Sequence, residues 1–218
     1  MDYFDGIDRI FVINLQERTD RRAHMDRQFA RFGLGGDARI HYFPAIRPES
    51  KGLFDSVGAH GVFLSHLAIL RDRASDCGRI LILEDDCLFS WRMARDAFAG
   101  PEDFIYGGVF HTAPVAGKES EEYGAHCIAY SPRVRPPLVA FLEERFNRGK
   151  VNQPYIAPVD GQIVDFRKQH PEYATRILEI AHQMPSDSDI TPTDRGIKRL
   201  GLMQQALRRL KTLYLQLK

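Results

Sequence analysis

The chain has 218 residues, 44% hydrophobic and 27% charged, with a formal net charge of +1. That length accommodates one full domain and leaves little for a second, and a chain this close to neutral has no global attraction for nucleic acid. Three cysteines, Cys77, Cys87 and Cys127, are odd in number and lack the paired spacing of a zinc or redox motif, which argues against a disulfide framework and for a reducing compartment.

The N-terminus, MDYFDGIDRI, is acidic and has no signal-peptide pattern, and no apolar run reaches the roughly 18 residues a membrane span needs. A soluble, cytoplasmic protein is expected. RIFVINL, Arg9 to Leu15, is a continuous apolar run that suits a strand buried on both faces of a parallel sheet. The helical spacing of Ala23, Met25, Phe29, Ala30 and Phe32 predicts a helix over 19–32, stopped by Gly33. Arg39 to Ile46 reads as a second strand, Gly61 to Ala74 as a helix entered through VGAHG, and Ile80 to Leu83 as a third strand placed by a right-handed crossover.

Further strands are expected at 104–108, 126–131 and 176–182, with a helix over Pro136 to Arg148 and an acidic, glycine-containing surface region between Tyr106 and Tyr123. Alternating strands and helices predict an α/β domain over residues 1–194 with a mostly parallel central sheet. From Arg195 to Lys218 there are seven Lys or Arg and no Asp or Glu, which leaves 23 basic against 29 acidic side chains in the body. In this tail Leu200, Met203, Leu207, Leu210, Tyr214 and Leu217 mark one face of a basic amphipathic helix. It could dock on the domain, pair with a second copy, or lie on an anionic membrane at its inner face.

The chemistry concentrates in ILILEDDCLF, 80–89. Three uncompensated carboxylates are too costly to bury inside a strand, so they belong where it emerges at its C-terminal edge, the ligand edge of open α/β sheets. Strand alternation places Glu84 and Asp86 on one side, about 7 Å apart at Cα, and Asp85 on the other. Hard oxygen donors without a nearby histidine favour Mg²⁺ or Mn²⁺, held by Glu84 and Asp86 while phosphates complete the shell.

In NLQERTDRR, Asn14 ends the first strand and Arg18, Arg21 and Arg22 follow in the loop and first helical turn, positions suited to phosphate or, alternatively, to a solvated basic face. In GAHGVFLSHLAIL, Gly58 and Gly61 permit close approach, and Ser65 and His66 either face substrate or serve the helix structurally.

Strand plus NL..R..R, then G..G..LSH, then ILEDD, in this order, resembles glycosyltransferase family 25, the lipooligosaccharide and lipopolysaccharide glycosyltransferases. The resemblance is strongest from Arg9 to Phe89, and continues in YFPAI, IAYSPR, PVDG and HQMPSDSDI; Val62 stands where the family usually carries cysteine. It implies a GT-A-like (Rossmann-like) fold, a UDP-sugar donor with galactose as the sugar most expected, a divalent metal on the Glu84–Asp85–Asp86 motif, and a glycan or lipid-linked saccharide acceptor of lipopolysaccharide or envelope polysaccharide. Asn14, Leu15, Arg18, Arg21, Arg22, Ala45, Ser65, His66, Glu84 and Asp85 would then face the donor. Asp160 in APVDG becomes the candidate base of an inverting reaction, with a helix N-cap as its alternative role. Asp189 in SDSDI is the reserve. The competing functions are a Mg²⁺-dependent nucleotidyltransferase or phosphatase, and an inactive nucleotide-sugar- or partner-binding protein of the same fold.

Overall fold

The computed structural model describes residues 2–72, 78–108, 110–111, 122–152 and 155–184. In chain order the elements are β1 (Arg9–Asn14), α1 (Thr19–Arg31), β2 (Ile40–Pro44), α2 (Val57–Asp72), β3 (Ile80–Glu84), β4 (Cys87–Phe89), β5 (Phe104–Tyr106), β6 (Phe110–His111), β7 (Glu122–Tyr123), β8 (Cys127–Tyr130), α3 (Arg135–Asn152), α4 (Val159–Gln169), β9 (Thr175–Ile177) and β10 (Ala181–Gln183).

Six strands form the central sheet in the order β2-β1-β3-β8-β5-β9. β1 is parallel to β2 and β3, β8 is antiparallel to β3 and β5, and β9 is parallel to β5. Only β8 runs against the other five, so the expected α/β class and mostly parallel sheet are present. The register Ile13↔Glu84 and Asn14↔Pro44 brings the ends of β1, β2 and β3 to one edge.

Alternation along these strands separates two cores. Phe11, Ile13, Ile80 and Ile82 pack with Phe63, Leu138, Ile163 and Phe166 of α2, α3 and α4. Ile10, Val12, Leu81 and Leu83 pack on the other face with Met25 and Phe29 of α1 and with Phe4, Phe89 and Phe98. Burial on both faces explains why β1 and β3 read as unbroken apolar runs.

Three elements differ from expectation. α2 begins at Val57, because the Ser56 hydroxyl accepts a hydrogen bond from Ala59 N at 3.0 Å as an N-cap; VGAHG is thus its first turn and not a lead-in. Within it, a Cβ on Gly61 would stand 2.4 Å from the Ile46 carbonyl oxygen, so only glycine lets α2 lie against the chain leaving β2. The single strand expected over 176–182 divides into β9 on the central sheet and β10 paired antiparallel with β4. β5 stops before Gly107 and Gly108, where any Cβ would collide with Cys127 Sγ and the Ala181 carbonyl.

No helix among the described residues is long and apolar enough to cross a membrane. The predicted tail helix over 195–218, most of the surface region at 112–121, and Asp189 lie outside the described residues.

Candidate active site

A cavity of about 230 Å³ opens at the edge where β1, β2 and β3 end. Leu15, Arg18 and Arg21 line it from the β1 exit and α1, Ala45, Ile46 and Arg47 from the β2 exit, Val57, Gly58, Gly61 and Ser65 from α2, and Glu84, Asp85 and Asp86 from the end of β3. Four segments far apart in sequence therefore meet because parallel strands end together.

The carboxylates occupy three different environments. Asp85 accepts hydrogen bonds from Asn14 Nδ2 at 2.7 Å and Arg21 Nη1 at 2.6 Å, all three side chains being buried. Asp86 Oδ2 lies 3.7 Å from the same Arg21 nitrogen, while its buried Oδ1 has no hydrogen-bond partner. Glu84 Oε2 accepts from Gln183 Nε2 at 3.5 Å. Glu84 and Asp86 are neighbours as expected, Asp86 being the charge that bears most on Glu84, but strand alternation is not what brings them together. β3 ends at Glu84 and residues 85–86 form a turn before β4, so alternation no longer governs them and Asp85 and Asp86 both turn to Arg21.

The turn is held from two sides: Met184 N donates to the Asp86 carbonyl at 2.7 Å, and His24 Nε2 lies 3.0 Å from the Cys87 carbonyl oxygen. A carbonyl oxygen can only accept, so His24 donates from Nε2 there, and burial holds its pKa below the usual histidine range.

Burial, followed by repulsion from Asp86, Asp160 and Asp85, pushes Glu84 up to about 8. Burial likewise raises Asp86 to about 6, with Arg21 opposing. A carboxylate cluster that resists ionisation, with one buried oxygen lacking a partner, fits a cation. Among the described residues no three His, Cys, Asp or Glu side chains converge as a ready cage. The donor set suits an ion such as Mg²⁺ or Mn²⁺ that takes one or two carboxylates and completes its shell with phosphate and water.

These shifts carry a sign. A carboxyl raised in the folded state adds stability at low pH and loses it as pH rises through the folded value. Buried His66 and His126, both lowered to about 4, act oppositely, but only below about pH 6.5, the ordinary histidine value. Between pH 6.5 and 8.5 the carboxylates dominate. Cation-free protein is therefore expected to lose at most about 2 kcal/mol, roughly 4–8 °C in Tm, over that interval. A Glu84→Gln variant should flatten this fall, and an equal fall in both proteins would contradict the assignment.

The remaining expected site residues divide. Arg18 lines the cavity and donates to both Asp20 oxygens, at 3.0 and 3.1 Å. Ser65 accepts from Ile46 N at 2.9 Å and donates to the Gly61 carbonyl at 2.8 Å, tying the β2 exit to α2. Arg22 is not brought into the cavity; its guanidinium lies over Tyr42, 4.2 Å from the ring centroid. His66 is not at the cavity either. It is fully buried with neither ring nitrogen hydrogen-bonded, because the face of α2 that carries it packs into the core.

Asp160 sits in the first turn of α4, two residues past the N-cap Pro158 and so not the expected cap, and accepts from Gly161 N at 2.8 Å. It does not line the cavity, but its charge bears on Glu84, and burial raises it above the usual carboxylate range. Sequence reasoning missed Ile46, Arg47 and Gln183; for Gln183 the only signal was its place in HQMPSDSDI.

No protein-family model matches the chain, and no curated protein sequence matches it. Solved structures do. CTP:phosphocholine cytidylyltransferase LicC from Streptococcus pneumoniae overlaps 96% of this chain and 79% of its own at 12% identity, with a TM-score of 0.46. The glycosyltransferase GlyE of the same organism covers 80% of this chain and 46% of its own at 7% identity (TM-score 0.45). A glycosyltransferase involved in glycosylation of the major capsid of PBCV-1 covers 96% and 98% at 10% identity (TM-score 0.42). The likeness is one of α/β frame, to nucleotidyltransferases and glycosyltransferases alike, and family 25 is not singled out among them.

Proposed function

We propose that the chain is a metal-dependent, inverting glycosyltransferase that moves a sugar, galactose as the leading candidate, from a UDP-sugar to a saccharide acceptor of lipopolysaccharide or envelope polysaccharide. The observation that carries this reading is the meeting of Glu84, Asp85 and Asp86 with Arg18 and Arg21 at the C-terminal edge of parallel strands. Hard oxygen donors beside guanidinium groups suit a diphosphate with its counter-cation. Galactose and the envelope acceptor come from the motif resemblance.

Asp86, with Glu84, would hold the cation, which when bound neutralises charge on the departing diphosphate. Arg21, fixed by Asp85, and Arg18 stabilise the same developing charge. The acceptor hydroxyl oxygen bonds to the anomeric carbon as the bond from that carbon to the phosphate oxygen breaks, and the electron pair leaves with UDP. Asp160 takes the hydroxyl proton. Burial makes its carboxylate more basic than an ordinary aspartate and better matched to that role.

Nucleotidyl transfer would use the same carboxylates and arginines but attack phosphorus, so the products separate the two readings. Incubation of UDP-galactose with Mn²⁺ and the protein is expected to release UDP, slowly to water and faster to a saccharide. Pyrophosphate release from UTP and a sugar 1-phosphate, without UDP release from any UDP-sugar, would overturn the glycosyltransferase reading.

A further inference from the structure

Beyond the cavity, Tyr155 is a large aromatic side chain left 44% exposed. Its position is nevertheless built. The phenol donates to Asp55 Oδ2 at 3.1 Å, and the next residue, Ile156, donates its backbone N–H to the Leu53 carbonyl at 2.9 Å. Two bonds thus pin the segment entering α4 against the loop entering α2. Two residues beyond Asp55, Val57 is 38% exposed and forms part of the cavity wall. Asp160, five residues beyond Tyr155, acts electrostatically on Tyr155 on one side and on Glu84 on the other. The exposed ring is thus tied through Asp55 to the segment whose Val57 walls the cavity, with Asp160 near enough for its charge to act on both Tyr155 and Glu84.

Size points the same way. At about 230 Å³ the cavity is smaller than the roughly 300–1,000 Å³ that encloses a drug-sized ligand. A nucleotide sugar is itself of that size, so the cavity has no room to enclose both a donor and the molecule receiving the sugar.

We infer that Tyr155, Val57 and Asp55 form a pyranose-binding platform beside Asp160, on which the acceptor saccharide lies with its C–H face against the ring. This rests on the glycosyltransferase reading. An aromatic ring supplies a flat apolar surface at low entropic cost. The exposed Asp55 carboxylate can accept hydrogen bonds from sugar hydroxyls, and Asp160 is near enough for its charge to act on the Tyr155 phenol.

Saturation-transfer NMR tests the inference with methyl β-galactopyranoside and methyl β-glucopyranoside as probes, in the presence and absence of UDP and Mn²⁺. Wild-type protein is expected to transfer saturation to the pyranose ring protons. Tyr155→Ala should weaken that transfer by roughly two- to tenfold, the range of a lost ring contact, while Tyr155→Phe keeps most of it; UDP signals should be equal in all three proteins. No pyranoside signal from wild type, or an unchanged one in Tyr155→Ala, overturns the platform even where UDP binds. Loss of the UDP signal in Tyr155→Ala with the pyranoside signal retained also overturns it, since the ring would then serve the nucleobase. A protein that contacts pyranosides through Tyr155 yet binds neither UDP nor a UDP-sugar keeps the platform and loses the transferase reading.

Discussion

Replacing Asp160 with Asn is expected to lower sugar transfer by about 10²–10⁴-fold while leaving UDP-sugar affinity essentially unchanged. The substitution preserves shape and keeps an oxygen to accept the bond from Gly161 N. What it removes is a proton acceptor that burial has made more basic, in the first turn of α4 and within electrostatic reach of Glu84. Because burial outweighs the favourable bond from Gly161 N and holds the carboxyl above its usual range, removing the charge should leave Tm unchanged or slightly higher. Steady-state kinetics beside donor calorimetry separates the effects. Near-normal turnover removes Asp160 as base, and weakened donor binding in parallel with lost turnover would assign it to the donor instead.

Adjacent carboxylates should give opposite results. Asp85 is committed to Asn14 and Arg21, and taking one partner from such a buried pair costs about 3–5 kcal/mol because the other charge stays buried. Asp85→Asn is thus expected to lower Tm sharply whether or not cation is present. Asp86 carries a buried oxygen without a hydrogen-bond partner and a pKa raised to about 6. Asp86→Asn should therefore leave the Tm of cation-free protein unchanged or higher, because it removes a poorly compensated charge, but should abolish stabilisation by Mn²⁺. Melts with and without Mn²⁺ distinguish these outcomes. An Asp86→Asn protein stabilised by Mn²⁺ as strongly as wild type would exclude Asp86 as a ligand.

The frame of this site was legible because it depends on local pattern. β1 and β3 are unbroken apolar runs, α1 shows its period, and a parallel strand that ends in acidic residues must present them at the sheet edge. Placing EDD near NL..R..R followed from that rule alone. The side on which each carboxylate lies did not. It depends on β3 stopping at Glu84, and that stop is fixed by the β4–β10 pairing and by Met184 N on the Asp86 carbonyl, contacts nearly a hundred residues away in sequence.

The same holds for Gln183, which reaches Glu84 only through β10. His66 misled because a polar residue beside Ser65 on a helix near the site suggests function, whereas a turn of 100° per residue separates the two side chains, sending Ser65 to Ile46 and His66 into the core. Arg22 differs from Arg21 for the same reason. One residue along α1 exchanges the carboxylates for Tyr42 at the surface.

The central claim is that the Glu84–Asp86 edge, with a cation, holds a nucleotide diphosphate sugar. Isothermal calorimetry of UDP-galactose, with UDP-glucose and GDP-mannose beside it, in Mn²⁺ and in chelator, tests it most directly. UDP-galactose is expected to bind in Mn²⁺ and to lose most of its affinity in chelator. Binding of equal strength in both, or no binding of any of the three in either, would contradict the account.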